Sequence, residues 1–423
     1  MRRTVPALVL TLLLGGCAGW ISERIVTPPR SAEQLAWTRR TLERAGVPIE
    51  KLRRRDAPDI AYAVFEPADY HLSYRTYSFS DDTWSALVNW QRPSDRFPAR
   101  NGTVVLVHGW SMDAGMMLPW AIAFAERGFR AVIVELRGHG RSEHGPMGYG
   151  MREADDVLAV VRHLRHKRRL AEPLHLFGVS YGAVTVLHTA ARMAVAAGGE
   201  PAADAAVADR EDERRAPRSS AHLAPPAAVV AMEPFGNAAD AIRSMHHFAT
   251  TSLRGGWRRW VLRNSARMLI GEATMEAAIA NASAQLELDL ARLDTSVALA
   301  ATTTCPLLVH GRIDTVIPHQ RSRALAAAHP DAQLVELPQD GHFSTPGRVD
   351  LLADPVANWF HALARQVGCA PFRAPATTLM HHDGFEADPV PPHQRRQMRP
   401  PGGAVNVDLK RVDVRRPDAR ERG

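Results

Sequence analysis

The chain has 423 residues, 45% of them hydrophobic and 23% charged, which is enough apolar material for a large core and excludes a wholly disordered chain. Its 52 Lys+Arg against 45 Asp+Glu leave a formal net charge of +7. Much of the excess is Arg in the C-terminal tail and in Arg162-His163-Leu164-Arg165-His166-Lys167-Arg168-Arg169. No reader motif accompanies that run. It reads as a solvated helix end, where the dipole favours cations, and no nucleic-acid partner is expected.

The N-terminus reads as a targeting segment. Arg2 and Arg3 precede an apolar stretch from Val5 to Leu14, too short to span a bilayer as a helix. It ends in Leu14-Gly15-Gly16-Cys17, which resembles the bacterial lipobox. The resemblance implies that residues 1–17 carry a lipoprotein signal and that Cys17 is lipidated as the mature N-terminus, with several acyl chains for stable anchoring. Ala18 follows rather than Asp, which by the same resemblance favours the outer membrane, facing the periplasm, over inner-membrane retention. Cys305 and Cys369 are the other cysteines; they could pair in an oxidising compartment, but sequence does not give their separation in space. Neither has metal-site spacing.

Residues 18–75 read as an N-terminal leader with a helical pattern over Ala32–Ala45, and the alternation in Tyr77–Trp90 predicts early strands. A regular rhythm begins at Thr103. Strands are predicted at Thr103–Val107, Arg130–Glu135, Leu174–Val179, Ala227–Met232, Leu307–His310 and Gln333–Leu337. Helices are predicted at Met116–Arg127, Arg152–Leu170, Tyr181–Ala194, Arg321–Ala328 and Val349–Val367. Apolar strands without alternation, separated by helices, predict an α/β fold with a mostly parallel sheet covered on both faces. The core is assigned to residues 76–232 and 305–368. Two segments interrupt it. Residues 196–226 are Ala, Gly, Pro and charge, and read as a disordered insertion; residues 233–304, with Trp257, Trp260, Met268, Leu269 and Ile270, are too long for a loop and predict a helical cap. The Pro- and Arg-rich tail, 371–423, is expected to be mostly disordered.

The chemistry gathers just past the predicted strands, where ligands bind in open parallel sheets. The third strand ends in Gly178-Val179-Ser180-Tyr181-Gly182 and passes at once into a helix. Such a turn holds a serine in strained geometry with its hydroxyl exposed, and only glycine fits on either side. His108-Gly109-Trp110-Ser111 follows the first strand, Gly311-Arg312-Ile313-Asp314-Thr315-Val316-Ile317-Pro318 the fifth, and Asp340-Gly341-His342-Phe343 the sixth. This order of Ser, Asp and His, each past a strand, resembles the α/β-hydrolases from Thr103 to Val367.

The resemblance implies an α/β-hydrolase fold with Ser180 as nucleophile, His342 as base and Asp314 as the acid that orients it. The oxyanion donors it implies are the backbone N–H groups of Tyr181 and Trp110, with Ser111 as the weaker alternative to Trp110. Glu233, just past the fourth strand, is the rival acid, and His329, in a helix-end turn, the rival base. His108 and His310 are read as structural, and Asp340 as shaping the turn before His342. Glu135-Leu136-Arg137-Gly138-His139-Gly140-Arg141-Ser142 resembles a loop of the monoglyceride lipase and serine-aminopeptidase-like branch, with Glu135 where Asp is usual. It is read as a pocket-shaping loop.

These features imply hydrolysis of carboxylic esters, lipid-derived ones among them, through an acyl-enzyme on Ser180. Aminopeptidase-like or thioesterase chemistry on the same fold, and a non-enzymatic envelope-anchored binding or scaffold lipoprotein, are the alternatives. The expected partners are a small-molecule or lipid ester and, through the anchor, a membrane. No cofactor or metal is implied, since there is neither a phosphate-cradling Gly loop nor a metal-spaced cluster. The sequence leaves oligomeric state open.

Overall fold

The computed structural model describes residues 18–80, 83–91, 101–198, 223–251, 271–374 and 406–411. Cys17 and the apolar segment before it lie outside these, as do most of the insertion, residues 252–270 of the expected cap with both of its tryptophans, and most of the tail.

Eight strands form the main sheet. In chain order they are β1 (Ile49–Leu52), β2 (Ile60–Phe65), β5 (Thr103–Val107), β6 (Arg130–Val134), β7 (Leu174–Val179), β8 (Ala228–Met232), β9 (Cys305–Gly311) and β10 (Gln333–Leu337). Their lateral order is β1-β2-β6-β5-β7-β8-β9-β10. From β6 to β10 every pairing is parallel, while β2 runs antiparallel to both of its neighbours, β1 and β6. The chain leaves β5 for β6 on one side and returns to β7 on the other. That reversal opens a crevice beyond the carboxyl ends of β5 and β7, the place where such sheets bind ligands.

Both faces of the sheet are buried, and the two-residue period of a strand assigns its side chains to two cores. Val105, Val107, Leu174 and Leu176 join one cluster with helices α4 (Met151–His166) and α5 (Tyr181–Ala196). Val104, Leu106, Phe177 and Val179 join the other with α2 (Ala32–Ala45), α3 (Ala114–Glu126) and α10 (Val349–Leu363). Phe177 anchors the second core, with its ring 4.5 Å from that of Trp120 and 5.8 Å from that of Phe124.

The structure corrects the sequence reading in three places. First, residues 18–75 are more than a leader, because they supply β1 and β2. All six residues of Ile60–Phe65 are buried, and the strand pairs with β6 from Tyr62↔Val134 to Phe65↔Ala131. It covers what would otherwise be an open sheet edge. Second, the alternating segment forms a hairpin of β3 (His71–Ser80) and β4 (Thr83–Gln91) outside the main sheet. Its short connection lets the two strands pair with each other. Part of the tail, β11 (Asn406–Arg411), lies parallel to β4 in the same small sheet. Third, the helix expected to reach Leu170 stops at His166, because Arg168 adopts φ 55° and turns the chain toward β7.

The described part of residues 233–304 is helical: α6 (Ala238–Thr251), α7 (Glu272–Leu286) and α8 (Thr295–Ala300). Ala238, Ile242, Met275, Ile279 and Leu286 sink into the first core. Across the same region runs α1 (residues 18–26). Its Ser22 Oγ accepts from Gln285 Nε2 at 2.8 Å, and the Ile25 carbonyl accepts from Tyr149 Oη at 2.9 Å. Arg30 then donates to the carbonyls of Gly138 and Ser142. The N-terminal segment thus straps α7 to the loop after β6. Among the described residues no helix is long and apolar enough to cross a membrane.

Cys305 and Cys369 are joined in a disulfide with Cα atoms 5.4 Å apart, closing a loop with a sequence separation of 64. Closing a loop that long restricts the unfolded chain by about 4 kcal/mol in the chain-entropy account. It ties the start of β9 to the segment after α10.

Candidate active site

Ser180 sits between β7 and α5 at φ 51°, ψ −112°, a strained conformation for a side-chain-bearing residue. Its N–H donates to the Met232 carbonyl at 2.7 Å, pinning the turn to β8. The flanking glycines are sterically required. A Cβ on Gly178 would lie 2.2 Å from the Gly182 carbonyl oxygen, and one on Gly182 would lie 2.3 Å from that of Val107.

His342, on the loop after β10, reaches both neighbours. Its Nε2 is 3.1 Å from Ser180 Oγ and its Nδ1 is 2.8 Å from Asp314 Oδ2. An Nδ1–H donating to Asp314 leaves Nε2 free to accept the serine proton. Asp314 is itself held by four donors. Its Oδ1 accepts from the N–H groups of Val316 and Ile317, each at 2.7 Å. Its Oδ2 is also 3.1 Å from His310 Nε2. Burial pushes this carboxyl up, but the charge of His342 and the hydrogen bonds of His310 and His342 outweigh it and hold it well below the usual carboxylate range. His310 is fully buried, with Nδ1 2.7 Å from Ser322 Oγ and Nε2 2.9 Å from the Ile317 carbonyl.

Glu233 stands beside Asp314 at the same edge of the His342 ring, with Oε2 3.5 Å from Nδ1. Burial first, then the charge of Asp314, keeps its carboxyl protonated well above the ordinary range. Ligand atoms of Glu233, Asp314 and His342 lie within 4.8 Å of one another, a donor set that could hold a cation. A cation there would have to displace the Nδ1 proton that Asp314 accepts, so the set fits an acid–base relay better.

Trp110 lies after β5 and Tyr181 opens α5, where the first backbone N–H groups of a helix have no partner inside it. Gly109 brings the β5 loop against Ser180: a Cβ there would be 3.7 Å from that of the serine. Ser111 takes φ 61° in the same loop. The Trp110 ring packs on those of Tyr149, Tyr181 and His139 at 5.8, 5.1 and 5.5 Å. Phe235 extends this buried aromatic cluster beyond Tyr181.

The other histidines hold the frame. The His108 Nδ1–H donates to the Gly109 carbonyl at 2.8 Å, while Nε2 accepts from the Leu136 N–H at 3.2 Å. Burial lowers His108 to about 4 and His139 to about 3, so both rings are neutral near pH 7. Glu135 accepts from the N–H groups of Ala114 and Arg141, joining the start of α3 to the loop. His329 is occupied by the Thr302 carbonyl and the Asp331 N–H, away from Ser180. Asp340 accepts from Arg348 at 3.2 Å in the turn before His342.

Sequence reasoning weighed Glu233 against Asp314 as alternatives; the fold places both beside one imidazole. The adjacency of β8 and β9 was the missing signal, since chain order does not state which strands are neighbours.

This parallel sheet, with its strand–serine–helix turn, defines an α/β-hydrolase. Residues 104–354, more than half of the chain, match the alpha/beta hydrolase family, and the chain belongs to it. Among curated relatives, the uncharacterized protein YfhR of Escherichia coli K12 is 27% identical over 129 residues, 27% of this chain and 45% of YfhR. The uncharacterized protein YqkD of Bacillus subtilis is 33% identical over 85 residues, 20% of this chain and 28% of YqkD. The chain thus matches less than half the length of these relatives. Among solved structures, an esterase of Pyrococcus furiosus has 13% identity and a TM-score of 0.49, covering 81% of this chain and 98% of that one. An esterase of Exiguobacterium antarcticum has 14% identity and a TM-score of 0.44, covering 74% and 98%.

Proposed function

We propose that the chain is a serine hydrolase of carboxylic esters working through an acyl-enzyme on Ser180. One observation carries the reading: a single imidazole, His342, lies 3.1 Å from Ser180 Oγ and 2.8 Å from Asp314 Oδ2. Ser180 Oγ attacks the ester carbonyl as its proton passes to His342 Nε2. Asp314 holds the tautomer and stabilises the imidazolium. The tetrahedral oxyanion accepts from the backbone N–H groups of Tyr181 and Trp110. Collapse expels the alcohol, which takes the proton from His342. Water then attacks the acyl group by the same route, releasing the acid and restoring the Ser180 hydroxyl.

Apolar acyl groups, including lipid-derived ones, suit the apolar surroundings that the half-buried Trp110 and the aromatic cluster behind it give Ser180. The loop from Glu135 to Ser142, with its likeness to the monoglyceride lipase branch, points the same way. A fluorophosphonate probe should label the native protein, and Ser180→Ala should abolish labelling. A native protein that stays unlabelled sinks the reading and leaves a binding lipoprotein in its place. A panel of p-nitrophenyl esters from acetate to palmitate, with matching thioesters and aminoacyl anilides, then reads the substrate class.

The reading extends to place. Cys17 is the lipid-bearing residue that holds the enzyme to the bacterial envelope, at the outer membrane. Cys17→Ser should move the protein from the membrane to the soluble fraction, and unchanged fractionation would refute the anchor.

A further inference from the structure

The relay of Ser180, His342 and Asp314 leaves one buried acid without a task. Glu233 follows β8 as Ser180 follows the neighbouring β7, and both take a positive φ, 53° and 51°. Its N–H donates to the Val309 carbonyl at 2.8 Å, which fixes the strand end against β9. A left-handed backbone is costly for a glutamate and persists only where the surroundings impose it. The side chain is 0% exposed, and neither carboxyl oxygen makes a well-aligned hydrogen bond, although the Gly311 N–H and the Thr345 hydroxyl lie near it. Buried polar groups are seldom left so, and the exceptions gather at functional sites. The nearest basic atom is His342 Nδ1, 3.5 Å from Oε2, on the ring edge that Asp314 holds at 2.8 Å. The imidazole N–H therefore stands between two carboxyl groups.

We propose that Glu233 is the second acid of this site, a positioning residue that holds His342 in its working tautomer whenever Asp314 cannot. The inference rests on the serine-hydrolase reading. The groups around Glu233 explain why it is silent in the intact protein. Asp314 faces it from the end of β9, with His310 behind; His342 and Asp340 face it from the loop after β10, with Arg348 on Asp340. The Thr345 hydroxyl is also close. Burial and the Asp314 charge keep Glu233 protonated, so Asp314 takes the Nδ1 proton. Once the Asp314 charge is removed, Glu233 loses its nearest repulsive neighbour and can ionise beside the ring.

The test measures kcat and KM on p-nitrophenyl butyrate from about pH 5 to about pH 10 for wild type, D314N and D314N/E233Q. D314N should lose roughly 10- to 100-fold in kcat near pH 7, short of the roughly 10⁴-fold expected when a lone acid is neutralised. Its acid limb should move to higher pH, where Glu233 ionises. D314N/E233Q should fall about 100-fold further with KM little changed, and should lose that limb. The low-field proton resonance of His342 Nδ1 should persist in D314N and vanish in the double variant. D314A replaces D314N should the latter fail to fold. Equal rates and pH profiles for single and double variants overturn the proposal. If that remaining activity is still abolished by Ser180→Ala, the serine-hydrolase reading stands without it.

Discussion

Ser180→Ala is expected to lower kcat on an activated ester by roughly 10⁴- to 10⁶-fold with little change in KM, and His342→Ala by a similar factor. The upper figure corresponds to about 8 kcal/mol of transition-state stabilisation. The loss is this large because the serine hydroxyl is a weak nucleophile at its own pKa, and among the described residues its one basic neighbour within hydrogen-bond reach is His342 Nε2, at 3.1 Å. Substituting both should cost about as much as either alone, because in the proposed mechanism the two side chains share one proton transfer. Two losses that multiply in the double variant would show that they act separately. The residual rate should stay above that of water, since the oxyanion donors proposed at the Tyr181 and Trp110 backbone are untouched. Thermal unfolding should change little, for Ser180 and His342 are both partly exposed and neither fills the core.

Gly182→Ala should be among the most damaging single-atom additions to the fold. The new Cβ would sit 2.3 Å from the Val107 carbonyl oxygen and 2.5 Å from that of His108. Both obstacles are backbone, so no side-chain rotation relieves them. Helix α5 would have to lift from β5, opening the first core where Ala183, Val184 and Leu187 pack. Overpacking of this kind costs typically 1–3 kcal/mol, and more where neither side can yield. About 4 kcal/mol is expected in urea denaturation, along with poor soluble yield. Gly236→Ala is the matched control: nothing lies within 4 Å of its added Cβ, and it should stay within about 0.5 kcal/mol of wild type. A Gly182→Ala protein as stable as that control would show that helix and strand do not meet this closely.

The parallel sheet was legible because strands buried on both faces must be apolar throughout. Thr103–Val107 and Leu174–Val179, whose residues are all buried, coincide with β5 and β7. The turn at Ser180 was legible for a similarly local reason, since Gly-x-Ser-x-Gly joining a strand to a helix is contained in a few adjacent residues. Ile60–Phe65 was harder. It is as apolar as the others, but it precedes the alternation of strand and helix and pairs antiparallel, so nothing beside it in the sequence marks it as part of the same sheet.

What sequence determined by itself is therefore the set of groups and their order along the chain: a serine, an acid and a histidine past successive strands, an odd carboxyl at Glu233, and two cysteines. Each depends on residue type and near neighbours. What only the tertiary structure decided is which of them touch. Cys305 meets Cys369 across a sequence separation of 64, and His342 lies beside both Asp314 and Glu233 because β8, β9 and β10 are adjacent in the sheet. Lateral strand order follows from how the whole chain packs two cores around one sheet, and no local stretch of residues contains that information.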